Sequence, residues 1–285
     1  VSITGNAAWA NTADASILVS SAGGDTQTAR IGNGAAIELS SAIFEPTGPN
    51  SPQGWRPEFA TTGSAWYGPR FDFDPATGLS RGLLIEEFRT NSVTNSLNLT
   101  TATTTAQFGS QINSPATYLG GWSAVRYTGD GTSASHLAFF GTITPGASTS
   151  VSLSAIVAPI SGGAFYQITG SGNWMADLNG YANFNLTGSG SITATGASAT
   201  GAFCNHLGNG VYHIGCTVQS SASPTSGAGP IIGLLTTGTD ARLPTNTSTG
   251  VVDLIYGCAC SGSSGWNSVV PTFGTAASKS ADSFS

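Results

Sequence analysis

Charge is scarce in this sequence: 22 of 285 residues are Lys, Arg, Asp or Glu, and a single lysine, Lys279, accompanies seven arginines. Nucleic acid is therefore a poor partner, because neutralising a phosphate backbone takes clustered basic side chains and the sequence has no such cluster. Long apolar runs are missing too. The longest, such as Ile231 to Leu235, fall far short of the ~20 residues a membrane-spanning helix requires, so no membrane insertion is expected. The opening VSITGNAAWANTADAS has no basic stretch leading into a long apolar one, and does not read as a secretory leader. Four cysteines are too few to staple a chain of this length. They read as buried thiols of a protein assembled in a reducing compartment, with Cys204 and Cys216 able to face each other across a Gly208-Asn209-Gly210 turn. Cys258 and Cys260 share one face of a strand. A zinc site from Cys204, His206, His213 and Cys216 is the sharper alternative, but its spacing is unlike that of structural zinc sites.

What the chain does have is glycine (39 residues), abundant Ser, Thr and Ala, and 39% hydrophobic residues. No apolar stretch keeps helical spacing, so short strands joined by turns are expected. Trp122 to Thr128, Val151 to Ala158, Phe165 to Thr169, Tyr181 to Leu186, Val211 to Gln219 and Val251 to Cys260 alternate apolar with small polar residues between Gly, Pro or Asn. Such punctuation predicts an all-β, jelly-roll-like β-sandwich over residues 97–285. Residues 1–66, with short separate apolar runs and four prolines between Pro46 and Pro57, read as an extended arm that gains order by packing on neighbours. No repeat of solenoid length appears, which sets aside β-helices and propellers.

Between arm and sandwich lies a charged connector, residues 67–96. Its segment PRFDFDPATGLSRGLLIEEFRTN, Pro69 to Asn91, gathers Arg70, Asp72, Asp74, Arg81, Glu86, Glu87 and Arg89. Phe71 and Phe73 alternate with charged neighbours, Pro75 to Gly78 supplies a turn, and Leu83 to Ile85 returns, so a β-hairpin is expected. Interleaved arginines lower carboxylate pKa values and leave those groups as acceptors, so structural ion pairing is the expected role, ahead of calcium binding or glycoside hydrolysis.

This segment resembles the RFD(Y/F)DP-turn-GLLIEE-x-RTN stretch of tail-fibre and minor structural proteins of tailed bacteriophages. Two further stretches are similar to that family: LGNGVYHIGCTVQSSA, Leu207 to Ala222, and the ending IYGCACSGSSGWNSVVPTFGTAASKSADSFS, in which Cys258 and Cys260 replace small and apolar residues. The resemblance runs from about Tyr67 onward. It implies a virion protein with a carbohydrate-binding-module-like sandwich.

No nucleophile elbow, HExxH helix or phosphate-binding glycine loop is visible around His136, His206 or His213, so no enzyme, cofactor or metal is expected. Sugar binding needs aromatic faces near amides and carboxylates. Phe165 to Phe184 offers Tyr166, Asn173, Trp174, Asp177, Asn179 and Tyr181 on or beside a glycine-rich loop, and Trp174 is expected to be exposed. Tyr118, Trp122 and Trp266 are poorer candidates. The expected function is a phage or phage-like fibre or spike subunit, a homotrimer on the particle surface, docked through its arm to other virion proteins and adhering to host polysaccharide. A decoration protein that only braces neighbours is the alternative, and a polysaccharide depolymerase a weaker one.

Overall fold

The computed structural model describes residues 89–119, 121–261 and 270–279, together with the strand backbones 27–31, 35–39, 71–73 and 80–83. Every element among the described residues longer than a turn is a strand. In chain order they are β1 (Gln27–Ile31), β2 (Ala35–Leu39), β3 (Phe71–Phe73), β4 (Ser80–Leu83), β5 (Arg89–Asn91), β6 (Thr105–Gln107), β7 (Gly109–Tyr118), β8 (Trp122–Gly129), β9 (Leu137–Phe139) and β10 (Thr142–Ile143). There follow β11 (Ser150–Ser161), β12 (Phe165–Thr169), β13 (Tyr181–Asn185), β14 (Ser191–Thr195), β15 (Thr200–Gly208), β16 (Val211–Gln219), β17 (Gly227–Ala228), β18 (Ile231–Leu235), β19 (Val251–Ser261) and β20 (Ala277–Lys279).

The chain divides into two compact units, Val1–Asp72 with Gly82–Leu84, and Phe73–Arg81 with Ile85–Ser285. In the first, β1 and β2 form an antiparallel hairpin pairing Gln27 with Leu39 and Ile31 with Ala35. The rest of residues 1–66 lies outside the described residues. Strands β3 and β4 pair in a two-stranded sheet, the hairpin expected from the charged segment, although its side chains lie outside the described residues.

The larger unit is a β-sandwich. One sheet has eight strands in the order β15-β16-β11-β19-β5-β20, with β8 also paired to β19 and β7 to β8; the other has six, β14-β13-β12-β18-β9-β6. The chain crosses between them from β5 to β6, β6 to β7, β8 to β9, β9 to β11, β11 to β12, β14 to β15, β16 to β18 and β18 to β19, the habit of a jelly roll. Strand β5 lies in the stretch assigned by sequence to the connector, yet it hydrogen-bonds to β19 and β20, and its Asn91 is buried with its amide donating to Val270 O at 2.8 Å.

The strand period of two builds the core. Val151, Leu153, Ala155 and Val157 of β11 point inward with Tyr212, Ile214, Cys216 and Val218 of β16 and Val252 and Leu254 of β19. From the facing sheet come Ala138, Phe140, Tyr166, Ile168, Ala182, Phe184, Ile232 and Leu234. Gly257 lets the Phe140 ring lie against the backbone of β19, where any Cβ would collide with it. The eight-stranded sheet is buried on its other face too, where Ser152, Ser154, Ile156, His213, Tyr256, Cys258 and Cys260 are each under 5% exposed.

Candidate functional site

The loop between β12 and β13 is fastened from below by a tryptophan. Trp174 has no solvent exposure, and its indole Nε1 donates to Ala228 O at 3.0 Å. A Cβ on Gly170 would collide with the indole ring, so the glycine next to it makes room for close packing. The sequence expectation that Trp174 is a surface platform is thus corrected: Gly170 serves its burial. Tyr166 is corrected likewise. It faces the core with zero exposure, its hydroxyl donating to Gly163 O at 3.1 Å.

Around that anchor the backbone is stapled to residues 219–228. Ala176 N donates to Gln219 O, Ser221 N to Trp174 O (both 2.8 Å), and Thr225 N to Asn173 O at 3.0 Å. Held in this way, Asn173, Asp177, Leu178 and Asn179 are exposed and Tyr181 is half-buried. Asp177 accepts from Ser198 Oγ and from Asn179 N, both at 2.6 Å, and those two bonds hold its carboxyl below the usual carboxylate range. It is an acceptor at neutral pH, suited to receiving hydroxyls.

A second element, residues 237–243, lies over the outer face of the six-stranded sheet. Gln167 and Asn183 are cross-strand partners on that face, and the Gln167 amide donates to Asn183 Oδ1 at 2.7 Å. Gln167 also donates to Ala241 O and accepts from Leu243 N, while Asn183 donates to Gly238 O and Asp240 O. Thr193 Oγ1 adds a bond to Gly238 O at 2.7 Å. The strap and the loop meet at Arg242. Its Nε donates to Thr169 Oγ1 at 3.0 Å and its Nη2 to Gly170 O, while Thr169 Oγ1 donates onward to Gly180 O at 2.7 Å. Thr169 pairs across the sheet with Tyr181. Four of the six glycan-binding candidates, Asn173, Asp177, Asn179 and Tyr181, therefore sit on one rim with a guanidinium that sequence reasoning missed. Nothing in the ARLPT context of Arg242 marks it; only the strap's return over β12 brings it there.

The remaining polar clusters are internal. Asp253, fully buried on β19, accepts from Arg126 Nε at 2.7 Å and Nη2 at 2.9 Å, from Ser114 Oγ at 2.6 Å and from the Tyr118 hydroxyl. Burial pushes its pKa up, but these bonds outweigh it and the net shift is downward. Tyr118 is thus committed to Asp253, and Trp122 is buried. The β15–β16 register pairs Cys204 with Ile214 and Asn205 with His213. The pleat therefore sends His213 to the face opposite Cys204, His206 and Cys216, which separates the conceivable zinc ligands. All four cysteines are thiols; burial raises Cys204 to about 11 and Cys216 to about 12. Among the described residues no group of three or more His, Cys, Asp or Glu is placed to hold a metal. Side chains of Arg70, Asp72, Asp74, Arg81, Glu86, Glu87 and Arg89, and the whole of Trp266, lie outside the described residues.

No family model and no curated protein matches the sequence. Among solved structures, the CBM22-1 xylan-binding domain of Xyn10C from Paenibacillus barcinonensis is similar over 61% of this chain and 94% of that domain, at 12% identity and a TM-score of 0.31. The sandwich assignment rests on the strand pairings themselves.

Proposed function

We propose that this chain is a surface subunit of a phage or phage-like particle, and that its sandwich binds host polysaccharide at the rim formed by the 171–181 loop and the 237–243 strap. The observation that carries the binding site is the fixed display of exposed Asp177 and Asn179 on the loop that leads into the half-buried ring of Tyr181, with Asn173 exposed earlier in the same loop. Amides and a carboxylate kept ionised pair with sugar hydroxyls, and a phenol ring offers the flat apolar face that a pyranose stacks on. The virion role is supported by the RFDFDP and GLLIEE stretches of the charged hairpin. Low charge suits this use, since recognition of sugar hydroxyls depends on short neutral hydrogen bonds more than on long-range fields.

Polysaccharide-array binding by the intact chain tests the reading, with Tyr181→Ala and Asn179→Ala alongside. Loss of at least tenfold in affinity with an unchanged melting temperature is the expected result; wild-type binding in both variants removes the site. Immunogold labelling of intact particles tests the virion role. The bracing alternative has its own observation in Ile112, 56% exposed on edge strand β7, with Phe108 at 52% in the preceding turn. A subunit contact over that edge would cover both.

A further inference from the structure

The described side chains include two arginines, and they are treated differently. Arg126 is neutralised by Asp253, whereas Arg242 has no carboxylate partner among the described residues. The acids nearest in sequence and on the same rim are turned to their own loops. Asp240 accepts from Thr237 N at 2.9 Å and from Thr237 Oγ1 at 2.7 Å, and Asp177 accepts from Asn179 and Ser198. Arg242 is half-buried, and burial alone lowers its pKa, which marks the desolvation of an uncompensated cation.

A purely structural pin does not call for that charge. The two bonds Arg242 makes, to Thr169 Oγ1 and Gly170 O, are neutral-acceptor bonds of a kind that a neutral amide can make, as Gln167 and Asn183 do from β12 and β13 onto carbonyls of this strap. A guanidinium carries five N–H donors in a rigid fork, so three remain beyond those two bonds. That fork matches two oxygens of a carboxylate or phosphate in a bidentate manner. It lies over Thr169, next across the sheet from Tyr181.

We propose that Arg242 is the subsite for an anionic oxygen group on the bound glycan, so that the polysaccharide recognised at this rim is acidic. The inference rests on the adhesion reading above and narrows it to a ligand class. A sugar ring on Tyr181 would place an equatorial carboxylate or phosphate substituent toward the fork, with ring hydroxyls toward Asn179 and Asp177.

The decisive measurement compares matched polymers on the full chain. Polygalacturonate, alginate and hyaluronan are each assayed beside their carboxyl-reduced neutral products, with a glycerol-phosphate polymer as the phosphate arm and neutral glucan, xylan and galactan as references. Retention of at least one charged polymer, at least tenfold tighter than its neutral counterpart and weakening with added salt, is expected; the carboxylate and phosphate arms identify the source of the anion. Arg242→Gln is expected to abolish the preference, and Arg242→Lys to keep part of it by retaining charge without the fork. Equal affinity for acid and reduced forms, or binding of neutral polymers alone, overturns the inference and leaves adhesion standing. Binding of no polymer overturns both. Should Arg242→Gln fail to fold, the matched polymers on the wild-type chain decide by themselves.

Discussion

A carboxylate that accepts four hydrogen bonds in a buried site is no longer the carboxylate of free aspartate. Asp253 has those four from Arg126, Ser114 and Tyr118, and its folded pKa lies below the unfolded one. The stability it contributes is therefore present above about pH 4 and is lost as pH falls through the folded value. Asp253→Asn leaves the Arg126 cation with a poorer partner and should cost about 3–5 kcal/mol, read as a shifted denaturation midpoint. His213 loses stability in the same direction, but for a different reason. Burial lowers its pKa to about 3, so the unfolded chain takes up a proton below about pH 6.5 while the folded chain stays neutral. Stability should thus decline as pH drops from about 6.5 toward 3, by about 1.4 kcal/mol per pH unit from this residue. His213→Phe should flatten that slope in denaturation curves at pH 5 and pH 7. Trp174 makes a third case, since sequence context placed it outside and the fold placed it inside. Glycine neighbours fit an exposed loop and a backbone pressed against a large ring equally well, and only the packing partner tells them apart. Trp174→Ala should cost about 3–5 kcal/mol and impair binding through lost order, where Tyr181→Ala impairs binding alone.

Elements differ in how plainly the sequence announces them. Strands β12, β16 and β19 were legible to within a residue, and β11 to within three, because alternation and flanking glycines coincide. Strands β7, β14 and β15 were not. They sit at or near sheet edges, with faces half in solvent, so apolar alternation is diluted by Ser, Thr, Asn and Gln. The strap was invisible for another reason: it has no regular structure and is held by amides that belong to strands 50 or more residues away in sequence. Removing one of them, as in Asn183→Ala, leaves Asp240 O without this donor and the Gln167 amide without its Asn183 acceptor, and should cost about 1–3 kcal/mol. Hydrogen exchange at residues 237–243 should accelerate before that of the sheets.

At the scale of the whole molecule, the adhesion proposed above gives one rim on a charge-poor sandwich only weak binding alone, and such contacts gain strength when several copies engage one surface. A multimeric form, measured by light scattering, should bind a polysaccharide-coated surface at least 10²-fold more tightly than a dissociated one. The sandwich itself was legible at this scale; the rim's composition was only half so, because it joins chain segments that periodicity treats as unrelated.

The strap is held by Gln167 and Asn183 through main-chain atoms alone: Ala241 O, Leu243 N, Gly238 O and Asp240 O. Side chains matter at Gly238, where Thr193 and Phe165 crowd a Cβ, at Asp240, which caps Thr237, and at Arg242, which reaches Thr169 and Gly170, whereas exposed positions 239 and 241 are held by the backbone path alone. The scaffold thus leaves positions 239 and 241 open to rewriting, so the chemistry beside Arg242 can change there without endangering the fold.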